Sequence, residues 1–69
     1  MINSMYDLRQ FLQKYGAFIY TGDRPGDLEL FEMELRQLYD WKMIDVQTFQ
    51  QGLIILRKEL SEYEKMKKN

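Results

Sequence analysis

The sequence predicts an all-α fold, a small three-helix bundle with an up-down-up arrangement or a close variant. Three stretches carry apolar residues at alternating spacings of three and four, the pattern of an amphipathic helix. No stretch shows the apolar and polar alternation that is typical of a half-buried strand. Both connections are short, so we expect consecutive helices to run antiparallel within a single domain over residues 1–69.

The first helix is predicted over residues 5–15. Ser4 precedes it as the N-cap, and Asp7 lies near the positive end of the helix dipole. Gly16 follows it, where helices often end in a left-handed residue. The core face is expected to carry Met5, Leu8, Leu12 and Tyr15, with Phe11 on its flank.

The connection that follows begins as an apolar segment and then contains the only proline of the chain. Phe18, Ile19 and Tyr20 are too apolar to be left in water, so we expect some of them to pack over the end of the bundle. Asp23 or Asp27 is predicted to cap the next helix.

The second and third helices are predicted over residues 27–41 and 46–66, the third with Asp45 as its N-cap. A basic tail, residues 67–69, falls outside the pattern. The second helix should bury Leu28, Phe31, Leu35 and Leu38. The third should bury Val46, Phe49, Leu53, Leu56, Leu60 and Tyr63.

Composition points away from catalysis. The chain has no histidine and no cysteine, so the commonest general base, metal ligand and soft nucleophile are absent. We therefore predict a protein that is not an enzyme, with no metal and no cofactor. The lack of cysteine and of a long apolar run predicts a cytoplasmic location without membrane contact. The net charge of -1 means that any polyanion site must be local.

The pentapeptide Tyr20-Thr21-Gly22-Asp23-Arg24 combines an aromatic ring with a guanidinium in one loop. An arginine can hold phosphate while a tyrosine stacks on a base, as in single-strand binders. Alternatively, Gly22 makes a turn, Thr21 and Asp23 satisfy backbone donors, and Arg24 pairs with Asp27 or Glu59.

Antiparallel packing is expected to bring the third helix beside this loop. The predicted nucleic-acid site therefore consists of Tyr20, Arg24, Arg57 and Lys58.

A second apolar stripe, formed by Leu30, Met33 and Trp41, projects from the second helix roughly opposite its core face. In a three-helix bundle each helix contacts two neighbours, so a broad buried arc could absorb these side chains. If they stay exposed, they favour a partner face, because tryptophan, methionine and leucine are typical of dimer interfaces and peptide grooves.

Four segments together resemble the YqgQ-like family of short proteins from Bacillus-type bacteria. They are Tyr6-Asp7, Ile19 to Arg24, Glu34-Leu35 with Leu38-Tyr39, and Ile55 to Glu59. The resemblance implies a small all-helical bundle and the binding of single-stranded nucleic acid, with Tyr20–Arg24 and Ile55–Glu59 at the matching positions. Gly52, where similar sequences often have alanine, and Pro25-Gly26 depart from the pattern.

The sequence thus favours a non-enzymatic binding module for single-stranded nucleic acid. The alternative is an adaptor that binds a protein partner, or a homodimer, through the apolar face of the second helix.

Overall fold

The computed structural model describes residues 2–67, and within this range the chain forms three α-helices and no strand. They are α1 (Met5–Gln13), α2 (Arg24–Asp40) and α3 (Val46–Lys67). α2 and α3 are antiparallel. Arg24 at the start of α2 reaches Glu59 late in α3, whereas Tyr39 near the end of α2 stacks on Phe49 early in α3. α1 packs against both, which confirms the predicted three-helix class.

α1 begins as predicted and ends two residues early. The Ser4 side chain accepts a hydrogen bond from the Asp7 amide, which makes it the N-cap. At the other end Gly16, with φ 88°, donates to the Gln13 carbonyl, and the next amide donates to Leu12. This hydrogen-bond pair is the Schellman motif, which ends the helix before Tyr15. The prediction that Tyr15 belongs to the buried face is therefore wrong, since its side chain is exposed.

α2 begins three residues earlier than predicted, because Asp23 and not Asp27 is the cap. The Asp23 carboxylate accepts a hydrogen bond from the Gly26 amide at 3.0 Å. Pro25 lies in the first turn, where its missing N–H removes no helical hydrogen bond. α2 ends at Asp40, one residue before the predicted end, and Trp41 is its C-cap.

α3 begins at Val46 as predicted and ends at Lys67, one residue beyond the predicted end. Lys67 belongs to the helix and not to a tail, and positions 68–69 of the predicted tail lie outside the described residues. Within residues 2–67, no helix is long and apolar enough to cross a membrane.

The core lies where the three helices meet. All four residues predicted for the α2 face are buried, and Phe31 and Leu35 are fully so. α3 contributes Leu56 as predicted. Its buried face also takes in Ile55 and Gly52, while Val46 at its first turn remains exposed. The other predicted α3 residues are partly buried: Phe49, Leu53, Leu60 and Tyr63.

Gly52 sets the distance between α2 and α3. A Cβ atom at this position would lie 2.6 Å from Cδ2 of Leu35, closer than side-chain carbon atoms approach one another. The absence of a side chain lets the fully buried Leu35 pack directly against the α3 backbone. An alanine at this position would require Leu35 to shift.

Candidate nucleic-acid interface and apolar helix face

Two aromatic rings project from the connection between α1 and α2. Burial alternates along residues 17–20: Ala17 is buried, Phe18 is 74% exposed, Ile19 is partly buried against the core, and Tyr20 is 82% exposed. Such alternation is that of an extended chain, whose successive side chains point to opposite sides. Phe18 and Tyr20 therefore lie on one side, with attachment points about 6–7 Å apart at an extended rise.

Both rings are open to solvent. Neither Phe18 nor Tyr20 makes a ring–ring or cation–ring contact with any residue in the range 2–67. The sequence pattern predicts Tyr20 but not Phe18 as a binding residue. Ala17, Phe18, Ile19 and Tyr20 are all largely apolar, so their side-chain polarity does not indicate which of them faces water.

The segment after Tyr20 is anchored to α2 by a buried carboxylate. Asp27 is 3% exposed, and its Oδ1 accepts hydrogen bonds from the Thr21 amide at 2.9 Å and the Thr21 hydroxyl at 2.5 Å. The Thr21 hydroxyl oxygen in turn accepts from the Asp23 amide at 3.3 Å. This network joins the loop to the first turn of α2. It agrees with the interpretation in which Thr21 and Asp23 satisfy backbone donors.

The electrostatic surroundings of Asp27 favour its ionised form. The hydrogen bond from the Thr21 hydroxyl lowers the pKa of this carboxyl most. The Thr21 amide and the charges of Arg24 and Arg9 lower it further, and burial opposes them by raising it. The pKa of Asp27 lies below its ordinary value of 3.8 as a result. The anchor is therefore a carboxylate at neutral pH.

Arg24 is engaged within the protein. Its Nη2 donates to Oε2 of Glu59 in an ion pair whose two side chains are each 30% exposed. The interpretation in which Arg24 pairs with Asp27 or Glu59 is thus confirmed for Glu59. This contact fastens the end of the loop to α3, and Arg24 also acts electrostatically on Asp27. A phosphate would have to compete with a carboxylate for this guanidinium.

Arg57 and Lys58 are exposed, and neither forms an ion pair with a residue of the described range. Both lie in the part of α3 that Arg24 contacts through Glu59. At about 100° per residue, however, Arg57 points about 160° around the helix from Glu59, and Lys58 about 100°. The structure thus brings the two cations to the same end of the bundle as the loop but onto other faces of α3.

The apolar face of α2 is not absorbed by the core. Met33 is 61% exposed, Trp41 is 64% exposed, and Leu30 is 39% exposed. All three side chains therefore remain accessible to solvent. The alternative interpretation, in which a broad buried arc covers them, is therefore wrong for this face.

A shallow groove between α1 and the first half of α3 was not anticipated from the sequence. Ile2, Phe11 and Ile54 supply its apolar part, and glutamines of both helices border it. Within residues 2–67, no cluster of three or more metal-ligating side chains is present.

The fold and these surfaces define a class: a small three-helix protein with a fastened aromatic loop and an uncovered apolar helix face. The chain belongs to the YqgQ-like family, whose model matches residues 2–62. It is similar to the uncharacterized protein YqgQ of Bacillus subtilis (strain 168), with 36% identity over 61 residues, covering 88% of this chain and 86% of the relative. The resemblance seen in the sequence is thereby confirmed.

Proposed function

We propose that this protein binds single-stranded nucleic acid, with two neighbouring bases stacking on Phe18 and Tyr20. The observation that carries the proposal is the pair of solvent-exposed rings, Phe18 and Tyr20, two residues apart in a segment whose burial alternates. Aromatic side chains bind unpaired bases with little sequence preference, because every base has a flat face. A base pair in a duplex offers no such free face, so the proposal is specific for single strands.

The fastening of the loop supports this role. Thr21 is held by Asp27 and Arg24 is held by Glu59, so the segment after Tyr20 is tied to both α2 and α3. Before Phe18, the Schellman motif and the buried Ala17 tie the segment to α1. A site ordered before binding loses less conformational entropy when the ligand arrives.

The cations have divided roles in this proposal. Arg57 and Lys58 are exposed and form no ion pair within the described residues, so they can neutralise phosphates of a strand that continues from the loop around α3. Arg24 acts mainly by holding the loop, because its guanidinium already bonds a carboxylate. Few phosphate contacts and a net charge of -1 predict weak, micromolar-range binding.

The proposal is tested with a fluorescently labelled, mixed-sequence single strand of twelve nucleotides at low and moderate salt. Log affinity should fall with log salt by about 0.7 per neutralised phosphate, which gives a shallow total slope for two or three contacts. Replacing either ring by alanine should weaken binding about fivefold or more, since each stacked base contributes about 1–3 kcal/mol. Arg57→Gln and Lys58→Gln should each reduce the salt slope.

Tyr6→Ala is the matched control. Tyr6 is also well exposed, at 70%, but lies on α1 outside the loop, so its removal should leave affinity unchanged. Equal affinity for a duplex of the same length would contradict the proposal. Absence of binding to any single strand at low salt would also contradict it.

A further inference from the structure

The exposed apolar face of α2 carries an inference that does not depend on nucleic-acid binding. Leu30, Met33, Gln37 and Trp41 follow one another at spacings of three, four and four. At about 100° per residue they fall within an arc of about 80°, so they form one continuous seam along α2. Such a seam, with long flexible and aromatic side chains, is the surface on which a partner helix packs.

The borders of the seam are acidic. Glu29 and Asp40 lie on one border and Glu34 on the other, and none of the three forms an ion pair with a residue in the range 2–67. The nearby Arg36 is already bonded to Glu32, with its Nε 3.0 Å from Oε2. Lys42, one residue beyond Trp41, is exposed and lies past the end of the helix.

The acidic borders of the seam indicate which kind of helix can pack on it. In a symmetric antiparallel pair of α2 helices, the register that sets Leu30 against Trp41 of the second copy also brings Glu29 close to Asp40 of that copy. In a parallel two-fold pair each border faces the opposite border of the second copy, which brings Glu29 of one copy near Glu34 of the other. In the antiparallel register Glu29 and Asp40 of the two copies lie only about two residues apart along the axis, and unpaired like charges this close disfavour self-association compared with a partner whose border is basic.

We propose that this seam, defined by Leu30, Met33, Gln37 and Trp41, docks a basic amphipathic helix of another protein. The apolar side chains of that helix would cover Leu30, Met33 and Trp41. Its lysines or arginines would lie against Glu29, Glu34 and Asp40. The mode is that of a helix laid along an apolar surface, with charges at the border setting the orientation.

Trp41 provides the measurement, because it is the only tryptophan of the chain and is 64% exposed. The probe is a tryptophan-free, 18-residue amphipathic peptide of leucine and lysine, compared with the same peptide carrying glutamate in place of lysine. Binding of the lysine peptide should shift Trp41 emission to shorter wavelength until the shift saturates. Added salt should weaken the binding of this peptide. The glutamate peptide should produce no shift.

Leu30→Ala and Met33→Ala should each weaken binding of the lysine peptide about tenfold, as expected for anchor residues. Ile54→Ala is the matched control, because Ile54 is an apolar side chain with a similar exposure, 60%, on α3; its effect should stay below about twofold. Combined Glu29→Lys and Asp40→Lys should reverse the preference toward the glutamate peptide. All of these positions lie outside the buried core, so each variant should remain helical, which circular dichroism would check.

Equal shifts by the two peptides, or no shift by either, would overturn the proposal. So would an Ile54→Ala effect as large as that of Met33→Ala. Sedimentation showing that the protein alone is a dimer, with Trp41 already shielded from a soluble quencher, would replace the basic partner by a second copy. The oligonucleotide experiment uses other residues, so failure of one proposal leaves the other unchanged.

Discussion

The connection after α1 and the connection after α2 begin with the same type of backbone turn but differ in the residues that they bury and expose. After α1, Gly16 and Ala17 donate to Gln13 and Leu12. After α2, Lys42 donates to Tyr39 at 3.0 Å and Met43 to Leu38 at 2.9 Å. Both are Schellman motifs. The first, however, places a glycine at the left-handed position and buries the next residue, whereas the second uses Lys42 at φ 60° and leaves Met43 exposed.

The difference continues beyond the turn. The first connection is tied by side chains to α2 and α3, and it exposes two rings on a fixed backbone. The second runs within a few residues to Asp45, whose carboxylate accepts from the Thr48 amide at 2.8 Å and caps α3. The same helix-ending motif is thus followed by a loop with two exposed aromatic rings in the first connection and by a short turn in the second.

The largest expected effect comes from removing the anchor of the first connection. Asp27→Ala deletes the acceptor of both Thr21 hydrogen bonds. The variant should melt about 10 °C lower, because hydrogen bonds to a charged acceptor are among the stronger ones and the domain is small. Asp45→Ala at the second connection should lower the melting temperature less, since that carboxylate is exposed. Thermal unfolding followed by circular dichroism would measure both, and equal losses would remove the distinction between the connections.

The same anchor predicts an acid dependence of stability. Since the pKa of Asp27 is lowered in the folded protein, its contribution is complete above its ordinary value of 3.8 and is lost as the pH falls through the lower folded value. The free energy of unfolding of Asp27→Asn should therefore fall less between pH 7 and pH 3 than that of the original protein. Urea titrations at the two pH values test this. Parallel losses would show that the Asp27 carboxylate is not a source of acid sensitivity.

A smaller loss is expected at the glycine of the first connection. Gly16 has φ 88°, and a Cβ there would meet no atom within 4 Å, so alanine would suffer from backbone strain alone. Gly16→Ala should cost about 1 kcal/mol in the free energy of unfolding, measured by denaturant titration. A neutral result would mean that the chain leaves α1 by another backbone path.

The smallest effect should have the opposite sign. Lys42 adopts φ 60°, a conformation that glycine enters without steric cost. Lys42→Gly should raise the free energy of unfolding by a few tenths of a kcal/mol up to about 1 kcal/mol, because relief of strain outweighs the added freedom of the unfolded chain. A loss of stability would show that the Lys42 side chain makes a contribution larger than the strain.

The helices are predictable from the sequence because each has a strong apolar period and recognisable caps. The start of α2 is not, because Asp23 and Asp27 are both acceptable caps and the choice between them depends on the tertiary hydrogen bond between Thr21 and Asp27. The exposure of Phe18 beside Tyr20 is not predictable either, because which of several apolar residues faces water depends on the path of the backbone. The sequence offers both Asp27 and Glu59 as ion-pair partners of Arg24. The choice of Glu59 depends on how α3 packs against α2.

The length of α3 has a consequence for local opening. Its 22 residues span about 33 Å, whereas the 17 residues of α2 span about 25 Å, and positions 64–67 of α3 are all exposed. Backbone amides near Leu56 should exchange with deuterium only through global unfolding, while those of the last turn exchange through fraying. A gradient of protection should run along one continuous helix, and its steepest part should lie just beyond the Arg24–Glu59 pair.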